Sequence, residues 1–597
     1  MNSFKHVEKI MKRFTSIIVL LLMVLGNAFA QKGTFDKIMP ELLEEINGSR
    51  KSDDTYRIII IMNEQLDSQK LTRHAQNLSK TQQREYIFNE LRSTSERSQK
   101  EVLKDLQQGQ KAALVDDIKS FWIINGISCS TTKEMVHAIA ERPDVKYIMK
   151  DLEIHIADGE ESEDIQLARD GNEWNVTKVN ADDVWELGYT GSGIIVAVID
   201  SGVNYNHTDI ANNMWDGGSE YPHHGYDFVN NDNDPKDDHG HGTHCAGTVS
   251  SYGTNGRQCG IAKDAKIMAL KVLEEDGSGF TSSCYSAIEF AVSHNADVLS
   301  MSLGSRGTGG IWVERIVMEN VLSCGIIASV SAGNVGSTYS QGLLLYPIPY
   351  NVGAPGNCPS PWRHPDQTLA GGRAAVVTVG NTMSSDDISL TSSIGPSTWA
   401  KGEYIGFYDD YCWAENNPDS IGLIKPDISA PGNKIYSLTH YSDTDYTVKS
   451  GTSMAAPCVA GVMALMLSVN PTLTPLEIDS IIETTAVPCG GQTTKNNYYG
   501  AGRIDALAAI NYMLNACAAP SNLNATVNRA NVTLNWDAAS DVSSYRVYRN
   551  GIMIASSVSE THYTDESVPA GNNTYFVRSN GDNHQTPFHP TKLPCQY

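Results

Sequence analysis

Long apolar runs are scarce in this sequence of 597 residues. The one present, residues 17–25, is far shorter than the roughly 20 residues that cross a hydrocarbon core, so no permanent transmembrane span is expected. Excess positive charge is also missing: 45 Lys plus Arg stand against 69 Asp plus Glu, a formal net charge of −24. That balance argues against a nucleic-acid or anionic-membrane binder. The 11 cysteines form no CxxC pair and no Cys/His cluster with zinc-ligand spacing. No EF-hand pattern, repeat or low-complexity tract occurs. Phe is rare, at 12, beside 26 Tyr and 49 Gly, a balance suited to turn-rich architecture with a wet surface. Hydrophobic residues at 41% and charged residues at 19% exclude disordered, collagen-like and coiled-coil chains. The length corresponds to about three or four domains.

What is present begins with a leader. Lys12 and Arg13 precede the apolar run and Ala28-Phe29-Ala30 follows it, the layout of a secretory signal over residues 1–30 with Gln31 as the first exported residue. Met11, just before the basic pair, is an alternative start. Residues 31–157 read as an α+β unit. Strands are expected at 56–62 (YRIIIIM), 121–127 (FWIINGI) and 145–149, with helices over 70–110 and 132–140. Residues 158–170 (DGEESEDIQLARD) have linker composition suited to cleavage.

From 174 to 516 near-continuous apolar runs alternate with helical patterns. The runs at 194–199, 267–272, 298–301, 326–330 and 375–379 suit strands buried on both faces of a parallel sheet, with helices at 283–293 and 312–322. The expected fold class is α/β, a doubly wound parallel sheet, with a linker at 158–173 separating it from the α+β unit. Residues 517–597 turn to alternating β pattern around Trp536, Tyr545 and Tyr575, with a turn at Asn550-Gly551, and read as a β-sandwich.

Ligands of such sheets sit beyond the carboxyl ends of the strands, so the polar residues ending each run carry the argument. The first run ends in Asp200-Ser201-Gly202, a second block reads HGHGTHCAGT around His241, and a third reads SGTSMAAPCVAG around Ser453. A serine hydroxyl needs an imidazole to take its proton, and the imidazole needs a carboxylate to fix its tautomer. Pro457 suits the first turn of a helix that Ser453 begins.

These three blocks, in this order, resemble the catalytic blocks of subtilisin-like serine proteases. The resemblance covers about residues 174–516. It implies a secreted endopeptidase working through an acyl-enzyme, with Ser453 as nucleophile, His241 as general base and then acid, and Asp200 orienting it; His239 and His244 are left as structural or solvent-exposed. Ser331-Ala332-Gly333-Asn334 resembles the family's oxyanion block, which assigns the Asn334 amide to the developing oxyanion. Ser302-Leu303-Gly304 resembles the strand that pairs with substrate backbone, and Ser331, Ala332 and Gly333 another wall of the first specificity pocket. Val335, where a charged residue in the family would favour charged side chains, implies an apolar or broad preference there unless remote loops decide it. No organic cofactor is implied.

Carboxylates and amides crowd the turn at 230–238 (NNDNDPKDD), hard oxygen donors that suit calcium or else form a solvated acidic loop; the same resemblance implies structural calcium there, through Asp232, Asp234 and Asp237, and makes Asp209 a ligand of another family calcium site. Residues 31–157 resemble the family's inhibitor-type propeptide, so the chain is expected to be a zymogen cut between Leu152 and Trp174, with protein or peptide substrates and its own propeptide as partners. Cys129 would leave with it, and the other ten cysteines could pair; Cys358 and Cys412, in insertions at 336–372 and 397–418, could bridge. The carboxy-terminal segment resembles a fibronectin type III domain through Pro520, Trp536, Tyr545 and Tyr575. The enzyme would be extracellular, on the cell surface or periplasmic. The other functional class is a catalytically silent surface protein that binds protein or glycan, against which the intact Asp200, His241, Asn334 and Ser453 argue.

Overall fold

A computed structural model describes residues 37–48, 54–75, 78–156, 171–305, 312–336, 339–340, 343–344, 346–399, 408–415, 417, 421–514, 520–528, 531–539, 542, 544–549, 552–566, 568–569, 573–580 and 593–595. The leader, the acidic linker, Ala157 and the Asn550-Gly551 turn lie outside the described residues.

Seven strands form the central sheet, in the order 428–431, 376–382, 327–331, 298–301, 195–200, 266–271 and 225–227, every neighbouring pair parallel. The pleat divides each apolar run between two layers. Ala197, Ile199, Met268, Leu270, Leu299 and Met301 face one core with helices Thr281–Ser293 and Trp312–Ser323. Val196, Val198, Ile267, Ala269 and Val298 face the other, with helices His241–Ser250 and Thr452–Val469. Burial on both faces is why the runs do not alternate. Helix Thr452–Val469 is long and apolar enough to span a membrane, but 89% of it is buried in the protein, so it is the core helix of this layer.

The amino-terminal unit carries a four-stranded antiparallel sheet in the order 115–121, 126–132, 55–62, 145–150. Ile58, Ile60, Ile127 and Ile148 close its own core. Ile59, Ile61, Phe121 and Met149 pack instead into the core of the central-sheet unit, so the sheet is sandwiched between its own helices and its neighbour. The helical stretch resolves into Ser68–Ala75, Lys80–Ser98 and Lys100–Lys111.

The expected strand at 121–127 is a correction. Strand Val115–Phe121 ends where that run begins, and strand Gly126–Thr132 starts after a turn whose Asn125 has φ 41°. Asn-Gly supplies the turn. The turn is apolar because Ile123 and Ile124 are buried against the central-sheet unit, which mimics a strand signal.

Cysteine pairing needs correcting too: Cys129, Cys245, Cys259, Cys284, Cys324, Cys358, Cys412, Cys458 and Cys489 form no disulfide. Cys358 is fully buried in the core while Cys412 is exposed beside Asp409, so the expected bridge does not form. At the carboxy terminus, sheets of three strands (521–528, 531–537, 562–565) and four strands (552–558, 544–549, 573–580, 593–595) enclose a shared core. There Trp536 meets Tyr545 edge-on at 5.3 Å.

Candidate active site

Asp200 is the last residue of the central strand Ile195–Asp200. Gly202 turns the chain away with φ 106°; a side chain there would collide with the Pro235 carbonyl at 2.6 Å. His241 opens helix His241–Ser250, and Ser453 is the second residue of helix Thr452–Val469. The sheet and these turns bring Asp200 and His241 into contact, and Cys245 Sγ lies 3.8 Å from His241 Nδ1 and 3.4 Å from the Ser453 carbonyl, which sets the three positions around one thiol.

His241 Nδ1 lies 2.8 Å from Asp200 Oδ1, which also accepts from the Ser201 N–H at 2.7 Å. Donation from Nδ1 leaves Nε2 as the basic nitrogen. Nε2 is buried and has no partner among the described residues. Burial alone pushes the imidazole down, but the Asp200 carboxylate, followed by Cys245, carries it well above its ordinary 6.5. His244 is buried and forced down to about 3, and its Nε2 lies 3.0 Å from the Ile435 carbonyl, which leaves it structural.

Pro457 is the sixth residue of its helix, one turn later than expected, and its missing N–H frees the Ser453 carbonyl. Ser302 Oγ and Cys245 Sγ donate to that carbonyl at 2.8 and 3.4 Å. The Ser453 hydroxyl donates to the Ser302 carbonyl at 3.4 Å. Asn334 Oδ1 accepts from the Thr452 N–H at 2.8 Å and from Thr452 Oγ1 at 3.0 Å, which turns its amide nitrogen toward Gly451. Thr452 also holds the wall, accepting from the Gly333 N–H at 3.1 Å. Sequence reading missed this role of Thr452, although it stands inside the serine block.

A strand of the amino-terminal unit lies along this site. Glu153–Ile156 runs antiparallel between Ser278–Phe280 and Leu303–Gly304, with Ile156 opposite Leu303 and His155 opposite Gly304. Ile154 and Ile156 point into the enzyme and are buried; Glu153 is exposed. Two carboxylates clamp the rest of the unit. Asp151 accepts from Thr281 Oγ1, Ser282 N–H and Ser282 Oγ at 3.0, 3.0 and 2.6 Å, capping helix Thr281–Ser293. Glu289 of that helix accepts from the N–H groups of Trp122 and Ile123, and burial pushes its carboxyl up to about 8. No sequence signal links these partners, which lie 130 or more positions apart.

The carboxylates expected to hold calcium, in the 230–238 turn and at Asp209, accept hydrogen bonds from the protein. Asp237 spends both oxygens on Ser201 Oγ, Gly240 N–H, Thr243 N–H and Thr243 Oγ1, fixing the His241 helix start. Asp209 accepts from Thr254 N–H at 2.6 Å, from Thr254 Oγ1, and from Tyr446 OH at 3.2 Å. Asp232 and Asp234 are exposed, the first accepting from the Asp234 N–H and the second from Tyr205 OH. Asp237, with both oxygens engaged, fits a calcium ligand poorly, whereas Asp232 and Asp234, in the exposed turn, remain compatible with one. Among the described residues the one cluster of potential metal ligands is Asp200, His241 and Cys245, the first two of which are engaged with each other.

The profile of the subtilase family matches residues 191–502, enclosing all three blocks. The chain belongs to the subtilase family. A peptidase inhibitor I9 profile matches residues 57–157, the unit whose last strand fills the cleft. The chain is 30% identical over 392 residues to Subtilisin E of Bacillus subtilis (strain 168), covering 66% of this chain and 82% of that protein. It is 29% identical over 456 residues to Bacillopeptidase F of the same organism, covering 72% of this chain but only 29% of that much longer protein. With Minor extracellular protease Vpr of that organism it shares 29% over 440 residues, 56% of this chain and 53% of that protein. This subtilase is thus a subtilisin-type serine protease preceded by an inhibitor-type prosegment.

Proposed function

We propose that this subtilase is a secreted endopeptidase that matures by cutting itself, with Asp200, His241 and Ser453 as its triad. The observation that carries the reading is the 2.8 Å His241–Asp200 contact beside a prosegment strand bound in the substrate direction. Ser453 Oγ attacks the scissile carbonyl as His241 Nε2 takes its proton; the imidazolium, held by Asp200, then returns that proton to the leaving amine. Water attacks the acyl-enzyme by the same route in reverse. The developing oxyanion is held by the Asn334 amide and the Ser453 N–H at the helix start. Ser302, Leu303 and Gly304 pair with the substrate backbone, and Ser331, Ala332 and Gly333 wall the first subsite.

Register suggests the maturation bond. Ile156 lies opposite Leu303, and one step further in the antiparallel count comes Ser302, the residue in contact with Ser453. The residue after Ile156 is Ala157, so the cut falls between Ala157 and Asp158, leaving an acidic new amino terminus. On this reading residues 1–30 are the leader, 31–157 the propeptide, 158–173 the linker, 174–516 the protease and 517–597 a fibronectin type III-like domain. The test is intact mass and amino-terminal sequencing of the purified precursor over time beside its Ser453→Ala variant. Loss of the prosegment at Ala157–Asp158 by the wild type alone supports the proposal; equal cutting of both assigns maturation to another protease.

A further inference from the structure

The Ile154 side chain of the prosegment enters a subsite it does not fill. A cavity of about 20 Å³ remains beneath it, bounded by Thr281, Tyr285, Leu303, Glu314 and Met318. The walls are largely apolar, but Glu314, from the first turn of helix Trp312–Ser323, is only 6% exposed. Its Oε1 accepts from Tyr285 OH at 2.9 Å, while its Oε2 is buried with no partner among the described residues. A buried oxygen without a donor costs free energy, and a space the size of one water with few polar walls does not satisfy it. Burial, with Asp151 adding to it, pushes the carboxyl up to about 8, and an ammonium placed beside it would bring that value back down and hold the carboxylate charged.

We propose that Glu314 makes this subsite, the fourth before the scissile bond, selective for lysine. The inference rests on the protease reading and on Ile154 marking that position. Lysine occupies about the volume of isoleucine but reaches further, so its methylenes line the apolar walls and its ammonium meets Glu314 Oε2. The broad planar guanidinium of arginine exceeds the space left. The prosegment, with isoleucine here, is then a weaker occupant than the best substrates, which favours its release after cutting.

The test uses matured enzyme and three peptides that differ only at the fourth position: isoleucine, norleucine and lysine. Norleucine has the length of the lysine stem without its charge. We expect kcat/KM for lysine to exceed that for norleucine by about tenfold or more in the wild type, because a site built to pair a polar group penalises its absence. In Glu314→Gln the ratio should fall to one or below. The ratio is internal to each enzyme, so a partly misfolded variant does not mimic the effect. In the full chain, Ile154→Lys should slow prosegment release by a similar factor. A ratio near one in the wild type, or one unchanged in Glu314→Gln, overturns the inference alone; no cleavage of any peptide by folded enzyme overturns the protease reading with it.

Discussion

Replacing Asp151 with alanine tests whether the prosegment is held by its clamps as well as by its cleft strand. The Asp151 carboxylate is 2% exposed and receives three hydrogen bonds from Thr281 and Ser282 at the start of a helix. Each hydrogen bond to a charged group is worth about 1.5–3 kcal/mol, but in released enzyme these donors regain water, and the cap itself is worth about 1 kcal/mol. Discounting for that hydration leaves about 3 kcal/mol of docking, or roughly a hundredfold in affinity. The Asp151–Arg57 pair at 3.4 Å adds little, since Arg57 is 36% exposed. The assay lets full-length protein cut itself, dilutes the non-covalent complex into a quenched peptide substrate and follows the lag before full activity. Asp151→Ala should shorten the lag by about two orders of magnitude, and Asp151→Asn, which keeps one acceptor oxygen, by much less. A lag within threefold of wild type would refute the argument that this cap contributes to latency.

Two further outcomes follow from the catalytic geometry. Asn334→Ala should lower turnover by about a hundred- to a thousandfold, the loss known for such a donor in subtilisin, with KM changed far less, because the amide acts on charge present only in the transition state; a KM-dominated defect would reassign Asn334 to substrate binding. The pH profile follows from His241. Asp200 raises its imidazole, so the protonated, inactive form persists to higher pH and kcat/KM is lost as pH falls through that raised value. In Asp200→Asn the raising charge is gone while burial remains, so the acid limb should move to lower pH and the plateau should drop by about ten-thousandfold. An acid limb that does not move would show that Asp200 does not set the imidazole.

The sequence alone marks the candidate reactive residues, because each sits where an apolar run meets a glycine-bracketed turn. Asp200, His241, Asn334 and Ser453 stand at such places, and the structure brings Asp200 to His241 and Asn334 to the Ser453 helix. The parallel sheet was legible for the same reason: strands buried on both faces carry no alternation. Runs misled where burial came from another unit. Ile123 and Ile124 read as strand because they are a turn pressed into the catalytic core. Short segments such as Gly225–Asp227 and Ile428–Pro431 gave no signal, since three or four residues carry too little pattern. Composition could not say whether a carboxylate meets a cation or a donor. Only the tertiary structure showed that Asp237 ties down the His241 helix, that Cys358 and Cys412 stay apart, and that Glu314 lies under Ile154. Local pattern determines which elements form and which residues end them. The partners of a buried polar group are chosen by contacts between segments more than a hundred residues apart, and these exist only once the layers have packed.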